Sequence, residues 1–258
     1  MIKDFIFLRP VNLKNKMRLG NLSDGGYVVY QPVLCETDVL MTYGVGWDVA
    51  FEVHFYNLTR KRVWMYDPSM LDVDSIESYS NNEKTSQWRQ KLDLLRKHGI
   101  YFVDEGISTV QKPKYSTFEN HLKTNQITNE RIMLKIDIEG DEYDIFTDDS
   151  FYDRLHPVNQ IIVEFHDLKN KADILEEIIS RLKREFEIVH IHGNNHGNLF
   201  VFRGESSTVI FPDVVEITFV RRACIREEDI IVEPVSYPVI GLDYPNNSGK
   251  KDYGLIFC

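Results

Sequence analysis

Residues 131–142 read Arg131-Ile132-Met133-Leu134-Lys135-Ile136-Asp137-Ile138-Glu139-Gly140-Asp141-Glu142. The run opens as an apolar stretch of strand length and breaks into acidic residues around a glycine. Side chains alternate along a strand, so Asp137 and Glu139 share one side. Two carboxylates at a strand's end cost solvation unless they meet a cation, a sulfonium among them, or a hydroxyl proton.

Similar runs lie on either side. Gln160–Phe165 is one, and Glu164 and His166 end it with the same two-residue spacing. Asp137, Glu164 and His166 together form an oxygen-plus-imidazole donor set for a divalent ion such as Mg²⁺ or Mn²⁺. Read separately, the first pair is a helix cap and His166 a surface histidine. Towards the N-terminus, Asp38–Gly44, Arg62–Tyr66 and Ile100–Val103 are further short strands. Between them, Val49, Val53 and Tyr56 fall at helical spacing, as do Trp88, Leu92 and Leu95 before Gly99. Residues 116–123 suit a short helix. Residues 172–186 form the clearest one, with Ile174, Ile178, Leu182 and Phe186 on one face. Glu187–His192 and Asn198–Arg203 close the series as a hairpin-like pair. Strand–helix alternation of this kind predicts an α/β fold with a mostly parallel sheet covered on both faces. The expected core is 36–205 within one domain, 1–258, with an N-terminal extension (1–35) and a β-rich C-terminal appendage (206–258).

Composition narrows the function. A net charge of −10 argues against a nucleic-acid partner, which usually needs a basic face. No apolar run reaches the ~18–20 residues of a membrane span. Phe5–Leu8 is too short for a signal peptide, so the expected location is cytoplasmic. Cys35, Cys224 and Cys258 are far apart and read as reduced thiols. The apolar ending Gly254–Cys258 suits either a core strand or a homodimer contact.

In open sheets, ligands sit beyond the carboxyl ends of the strands. Polar clusters gather at those ends here. Tyr43-Gly44-Val45-Gly46 is a turn between strand and helix, able to face an anion with its N–H groups. Val49 stands where a dinucleotide fingerprint has its third glycine. Asp67 follows about twenty residues later, where an acidic side chain grips ribose hydroxyls. Asp104 and Glu105 are placed similarly, with Gly106 and Ile107 against an adenine ring. Each of these also reads as an ordinary turn or cap. The segment His192-Gly193-Asn194-Asn195-His196-Gly197 reads as a polar turn, a candidate for substrate binding or for proton transfer by His192 or His196.

These fragments together resemble the FkbM-type family of S-adenosylmethionine-dependent methyltransferases. The matching pieces are Asp24-Gly25-Gly26-Tyr27-Val28, the glycine turn followed by Phe51-Glu52, Lys135-Ile136-Asp137-Ile138-Glu139-Gly140, Ile162-Val163-Glu164, and Phe211-Pro212-Asp213-Val214-Val215-Glu216. The resemblance implies a Rossmann-like class I methyltransferase sheet whose last strand is antiparallel. It implies S-adenosylmethionine as donor and O-methylation of a sugar or glycan precursor, of capsule or lipopolysaccharide type, with a small-molecule or nucleotide-linked sugar as acceptor. Carried onto this chain, Tyr43, Gly44, Gly46 and Glu52 hold the methionine end and Asp67 the ribose. Asp104 to Ile107 flank the adenine. The acceptor enters near Asp137, His166 and His192, with Glu139, Asn194 and His196 beside it. Some class I O-methyltransferases hold a divalent ion at the ends of the fourth and fifth strands, as Asp137, Glu164 and His166 would; the usual Asp-Asn pair on the fifth strand is absent. The rival readings are a nicotinamide-dependent oxidoreductase and a non-catalytic glycan-binding protein on the same fold.

Overall fold

The computed structural model describes residues 5–70, 79–203 and 208–257; Cys258 lies outside them. In chain order the elements are β1 (Lys16–Leu19), β2 (Tyr27–Tyr30), α1 (Gln31–Leu34), β3 (Val39–Tyr43), α2 (Ala50–Thr59), β4 (Arg62–Tyr66), α3 (Tyr79–Arg96), β5 (Ile100–Val103), β6 (Gly106–Ile107), β7 (Tyr115–Ser116) and α4 (Phe118–Thr124). There follow β8 (Ile132–Ile136), α5 (Glu142–Thr147), α6 (Asp149–Tyr152), β9 (Val158–Phe165), α7 (Leu168–Leu182), β10 (Phe186–Gly193), β11 (Leu199–Arg203), β12 (Thr208–Pro212) and β13 (Val215–Arg221).

Seven strands form the central sheet in the order β10-β13-β9-β8-β3-β4-β5. All are parallel except β13, which runs antiparallel to both β9 and β10. This is the mostly parallel, Rossmann-like sheet expected from the sequence, with its one antiparallel strand.

That strand comes from an unexpected place. The hairpin-like pair expected at 187–203 does not close the sheet. Instead β11 pairs with β12 in a separate ribbon, and β13, from the supposed appendage, inserts between β9 and β10. The expected core boundary at 205 therefore cuts off a central strand. Burial gives the reason: Val215 to Val220 are buried without a break, as an internal strand must be. Leu199 and Val201 on β11 are 45% and 52% exposed and suit a ribbon over the surface. Helix α7 also starts earlier than expected and ends at Leu182. Phe186 opens β10, yet packs in the same cluster as Ile178 and Leu182, which extended the helical pattern across the turn.

Alternation along the strands sorts the two faces. Val39, Met41 and Tyr43 of β3, and Ile132, Leu134 and Ile136 of β8, pack with α5 and α7. Leu40 and Met133 face the other cluster, with α2 and the β1–β2 hairpin. Lys135, Asp137 and Glu164 share that second parity, so the hairpin and α2 lie over the charged strand ends. At its far end Leu255 is buried and bridges to Tyr237, while Ile256 is exposed. No helix of the described residues is long and apolar enough to cross a membrane.

Candidate functional site

The strand order reverses between β3 and β8, where ligands bind in sheets of this type. A cleft of about 440 Å³ opens there, lined by the ends of β3, β4 and β8 and by residues of the β1–β2 turn. Of the residues singled out in the sequence, Tyr43, Gly44, Gly46, Glu52, Asp67, Gly106, Ile107, Asp137 and Glu139 line it.

The glycine turn is fixed by its neighbours. Gly44 has φ +74°, and a Cβ there would fall 1.5 Å from the Asp137 carbonyl oxygen. Only glycine fits both the conformation and the space. Asp67 braces the turn from the next strand. Its Oδ2 accepts from the N–H groups of Val45 (3.1 Å) and Gly46 (2.9 Å), and its Oδ1 from the N–H and the hydroxyl of Ser69 (2.9 and 2.6 Å).

The floor of the cleft is a buried charge cluster. Lys135 Nζ lies 3.4 Å from both Asp137 Oδ2 and the Gly44 carbonyl, and 4.8 Å from the centre of the Tyr27 ring. Burial opposes its charge, but Asp137, Glu52 and Glu164 more than offset that and raise its pKa. Tyr27 donates to Asp137 Oδ2 (2.8 Å) and reaches Glu164 Oε2 (3.4 Å). Glu52 accepts from Thr42 Oγ1 at 2.9 Å, and burial pushes its carboxyl up.

Beside this floor, His166 is oriented from behind. Its Nδ1 is 3.1 Å from Oε1 of Glu142, a residue with no exposed surface. The same oxygen accepts the N–H groups of Ile138 (3.0 Å) and Gly140 (3.2 Å). His166 Nε2 is left 3.6 Å from both Glu139 Oε2 and Glu164 Oε1. Burial lowers the pKa of His166, but the bond to Glu142 and the charges of Glu142, Asp137 and Glu139 outweigh it and raise the pKa above its ordinary value. His166 does not itself line the cleft but stands behind Glu139, which does; with one nitrogen fixed by a carboxylate and the other turned to Glu139 and Glu164, it can take up a proton.

The expected donor set changes in one member. Among the described residues, Asp137, Glu139 and His166 bring donor atoms within 4.8 Å of one another. Glu164 is not part of that group. Its Oε1 accepts from Asn194 Nδ2 at 2.7 Å, and burial with the charges of Asp137 and Glu216 holds its carboxyl well above the usual range.

Several candidates face elsewhere. Asp104 sits 3.6 Å from Lys114, and Glu105 3.3 Å from His121 Nε2; neither lines the cleft. The chain leaves the sheet after Val103, and only Gly106 and Ile107 return to the cleft wall. His192 lies within β10 and not in a turn, with Nδ1 on Glu216 (3.1 Å) and Nε2 on Asp252 (2.9 Å). Burial would lower its pKa, but these two hydrogen bonds push it up to about 10. It is an imidazolium at neutral pH and not a base. Asn194 is buried on Glu164, and His196 is exposed in the turn that follows, away from the cleft. Tyr27, Lys135 and Glu142 were not expected. A lysine inside the apolar run 131–138 was the available signal for Lys135. Tyr27 and Glu142 reach the site only through the folding of the hairpin and the first turn of α5.

No family model matches the chain, and no curated protein matches it. An rRNA methylase from Streptococcus thermophilus is similar in structure at a TM-score of 0.38, with 15% identity over 73% of this chain and 89% of that one. A precorrin-6y C5,15-methyltransferase from Geobacter metallireducens is similar at a TM-score of 0.39, with 13% identity over 72% of this chain and 81% of that one. Neither likeness bears on activity, which rests on the cleft itself.

Proposed function

We propose that this chain is an S-adenosylmethionine-dependent O-methyltransferase of the FkbM type that acts on a hydroxyl of a sugar or glycan precursor. The observation that carries this reading is the occupation of the glycine turn by Asp67. In a dinucleotide site, the N–H groups of such a turn face a pyrophosphate. Here those of Val45 and Gly46 are bound to a carboxylate. That favours a donor without phosphates over a nicotinamide dinucleotide.

When bound, S-adenosylmethionine supplies a methyl group on a sulfonium, transferred by in-line displacement. Tyr43, Gly44, Gly46 and Glu52 would hold its methionine end. Asp67 would take the ribose hydroxyls in exchange for Ser69 Oγ, and Gly106 and Ile107 would flank the adenine. Asp137, held by Lys135 and Tyr27, accepts a hydrogen bond from the acceptor hydroxyl and aims its oxygen. A sugar hydroxyl keeps its proton at neutral pH, and His166 Nε2 receives it while Glu142 holds Nδ1. A positioned base of this kind contributes ~10²–10⁴-fold. Asp137, Glu139 and His166 also fit a Mg²⁺ or Mn²⁺ ion, which would acidify the hydroxyl in place of a base.

The test is a calorimetric titration with S-adenosylhomocysteine, on metal-stripped protein and again with Mg²⁺ or Mn²⁺. Micromolar binding is the expected result. Absence of binding in every condition overturns the reading. A dependence on the ion assigns the Asp137–Glu139–His166 corner to the metal and removes His166 as base.

A further inference from the structure

A second set of titratable groups lies away from the cleft, where β1 meets β10 under the segment 237–243. Lys16 of β1 is half-buried there. Its Nζ is 3.1 Å from the Val189 carbonyl and 3.3 Å from His190 Nδ1. His190 Nε2 is 2.7 Å from Asp243 Oδ1, and Asp243 Oδ2 accepts the N–H of Val239 at 2.6 Å. As an ammonium Lys16 can only donate, so Nδ1 is an acceptor and Nε2 carries the proton that goes to Asp243. Amine, imidazole and carboxylate stand in line, the arrangement of an activated nucleophile with its base and the group that orients the base.

Burial works against the ammonium: although Asp243 supports it, the Lys16 pKa is pulled down to about 8. The other charged and titratable neighbours have partners of their own. His192 is held by Glu216 and Asp252, Arg18 by the carbonyls of Asn21 and Ser23, and Asp229 by Asn15 and Tyr30. The Tyr237 ring lies 5.8 Å from Nζ. A neutral Lys16 keeps two N–H bonds for Val189 and His190, and its lone pair points away from both. We propose that Lys16 is a site of covalent acylation by small acyl phosphates, activated by His190 and Asp243. The amine lone pair attacks the acyl carbon and forms the N–C bond. The C–O bond to phosphate breaks, and its electron pair leaves on inorganic phosphate. The surplus amine proton passes to His190 Nδ1, while Asp243 holds Nε2–H, and then to water. The product is an amide, so the hairpin that carries Asp24 and Tyr27 to the cleft loses a positive charge.

The test treats the full chain with acetyl phosphate at pH ~7.5 and follows each lysine by mass spectrometry. Lys14, exposed and two residues away, is the internal reference. Lys16 is expected to be acetylated about tenfold faster, because its larger neutral fraction outweighs the lower nucleophilicity of a less basic amine. Its rate levels off above pH ~8, while that of Lys14 is still climbing at pH ~9.5. His190→Gln removes the base and is expected to slow Lys16 about tenfold or more, with Lys14 unchanged. Acetylation of Lys16 no faster than of Lys14, or a pH profile that climbs in parallel with that of Lys14, overturns the proposal. So does an unchanged Lys16 rate in a His190→Gln protein that melts like the parent. If that variant fails to fold, the comparison with Lys14 and the pH profile decide on the unsubstituted chain.

Discussion

The Asp137 residue meets the cleft twice, through its carboxylate and through its main-chain carbonyl. The carbonyl is what excludes a side chain at position 44. Gly44→Ala would place a methyl 1.5 Å from that oxygen at φ +74°. Both β3 and the loop after β8 would have to part, at a cost of about 3 kcal/mol. Denaturant unfolding measures this, and donor affinity is expected to fall with it. The carboxylate acts with His166, whose pKa is raised by Glu142 and its neighbours. A base must be neutral to work, so the ascending limb of the pH–rate profile lies above the ordinary histidine range of about 6.5. Glu142→Gln removes the nearest charge and moves that limb to lower pH, while His166→Ala abolishes it. An unchanged profile in Glu142→Gln would show that His166 is not the base. For stability the sign is the same: protonated His166 is favoured in the folded state, so its contribution is full below pH ~6.5 and is lost as pH rises through the raised value.

Among the elements, β10 shows how a strand reads correctly and its side chains do not. Its apolar alternation located it within a residue or two, and two histidines beside glycine and asparagine suggested an open turn. The structure leaves His196 exposed but buries His192 on Asp252, beside His190 on Asp243 at 2.7 Å, under the C-terminal segment. Nothing local announces a partner fifty or sixty positions away. The same limit applies to Tyr27, which reaches Asp137 only because the β1–β2 hairpin folds across the sheet. Strand ends, by contrast, were legible because open parallel sheets gather their ligands there, and Gly44, Asp67 and Asp137 needed no long-range knowledge. The His192 pairing is testable. Its folded pKa of about 10 lies above the unfolded value near 6.5. The stability it contributes is therefore complete below pH ~6.5 and drains away between there and pH ~10. His192→Gln is expected to lower the urea midpoint at pH ~6.5 and to flatten the decline towards pH ~9.5. Equal slopes in both proteins would place the proton elsewhere.

For the whole molecule, the decisive feature is that the sheet is completed by residue 221 and not by residue 203. Alternating strands and helices predict neighbours in sequence to be neighbours in space, and on either side of the switch point, in β3-β4-β5 and in β8-β9, they are. The last two strands break that pattern, because β13 returns from the ribbon of β11 and β12 to lie between β9 and β10. It also passes beneath the hairpin, where Thr218 donates to the Val28 carbonyl. Two truncations separate an appendage from a structural strand. A chain ending at Glu205 loses β13, leaving β9 with an unpaired edge, β10 without a partner, and buried main-chain donors unsatisfied. It is expected to show no cooperative thermal transition and to bind a hydrophobic dye. A chain ending at Cys224 keeps all seven strands and loses Asp243, Asn246 and Asp252. It is expected to melt cooperatively at a lower temperature, with His190 and His192 stripped of their carboxylates. Its cleft would also weaken, since Asn246 ties Asp24 at the rim to Glu216 beside Glu164. Cooperative melting of the shorter chain would mean that β13 is dispensable and that the sheet closes by another pairing.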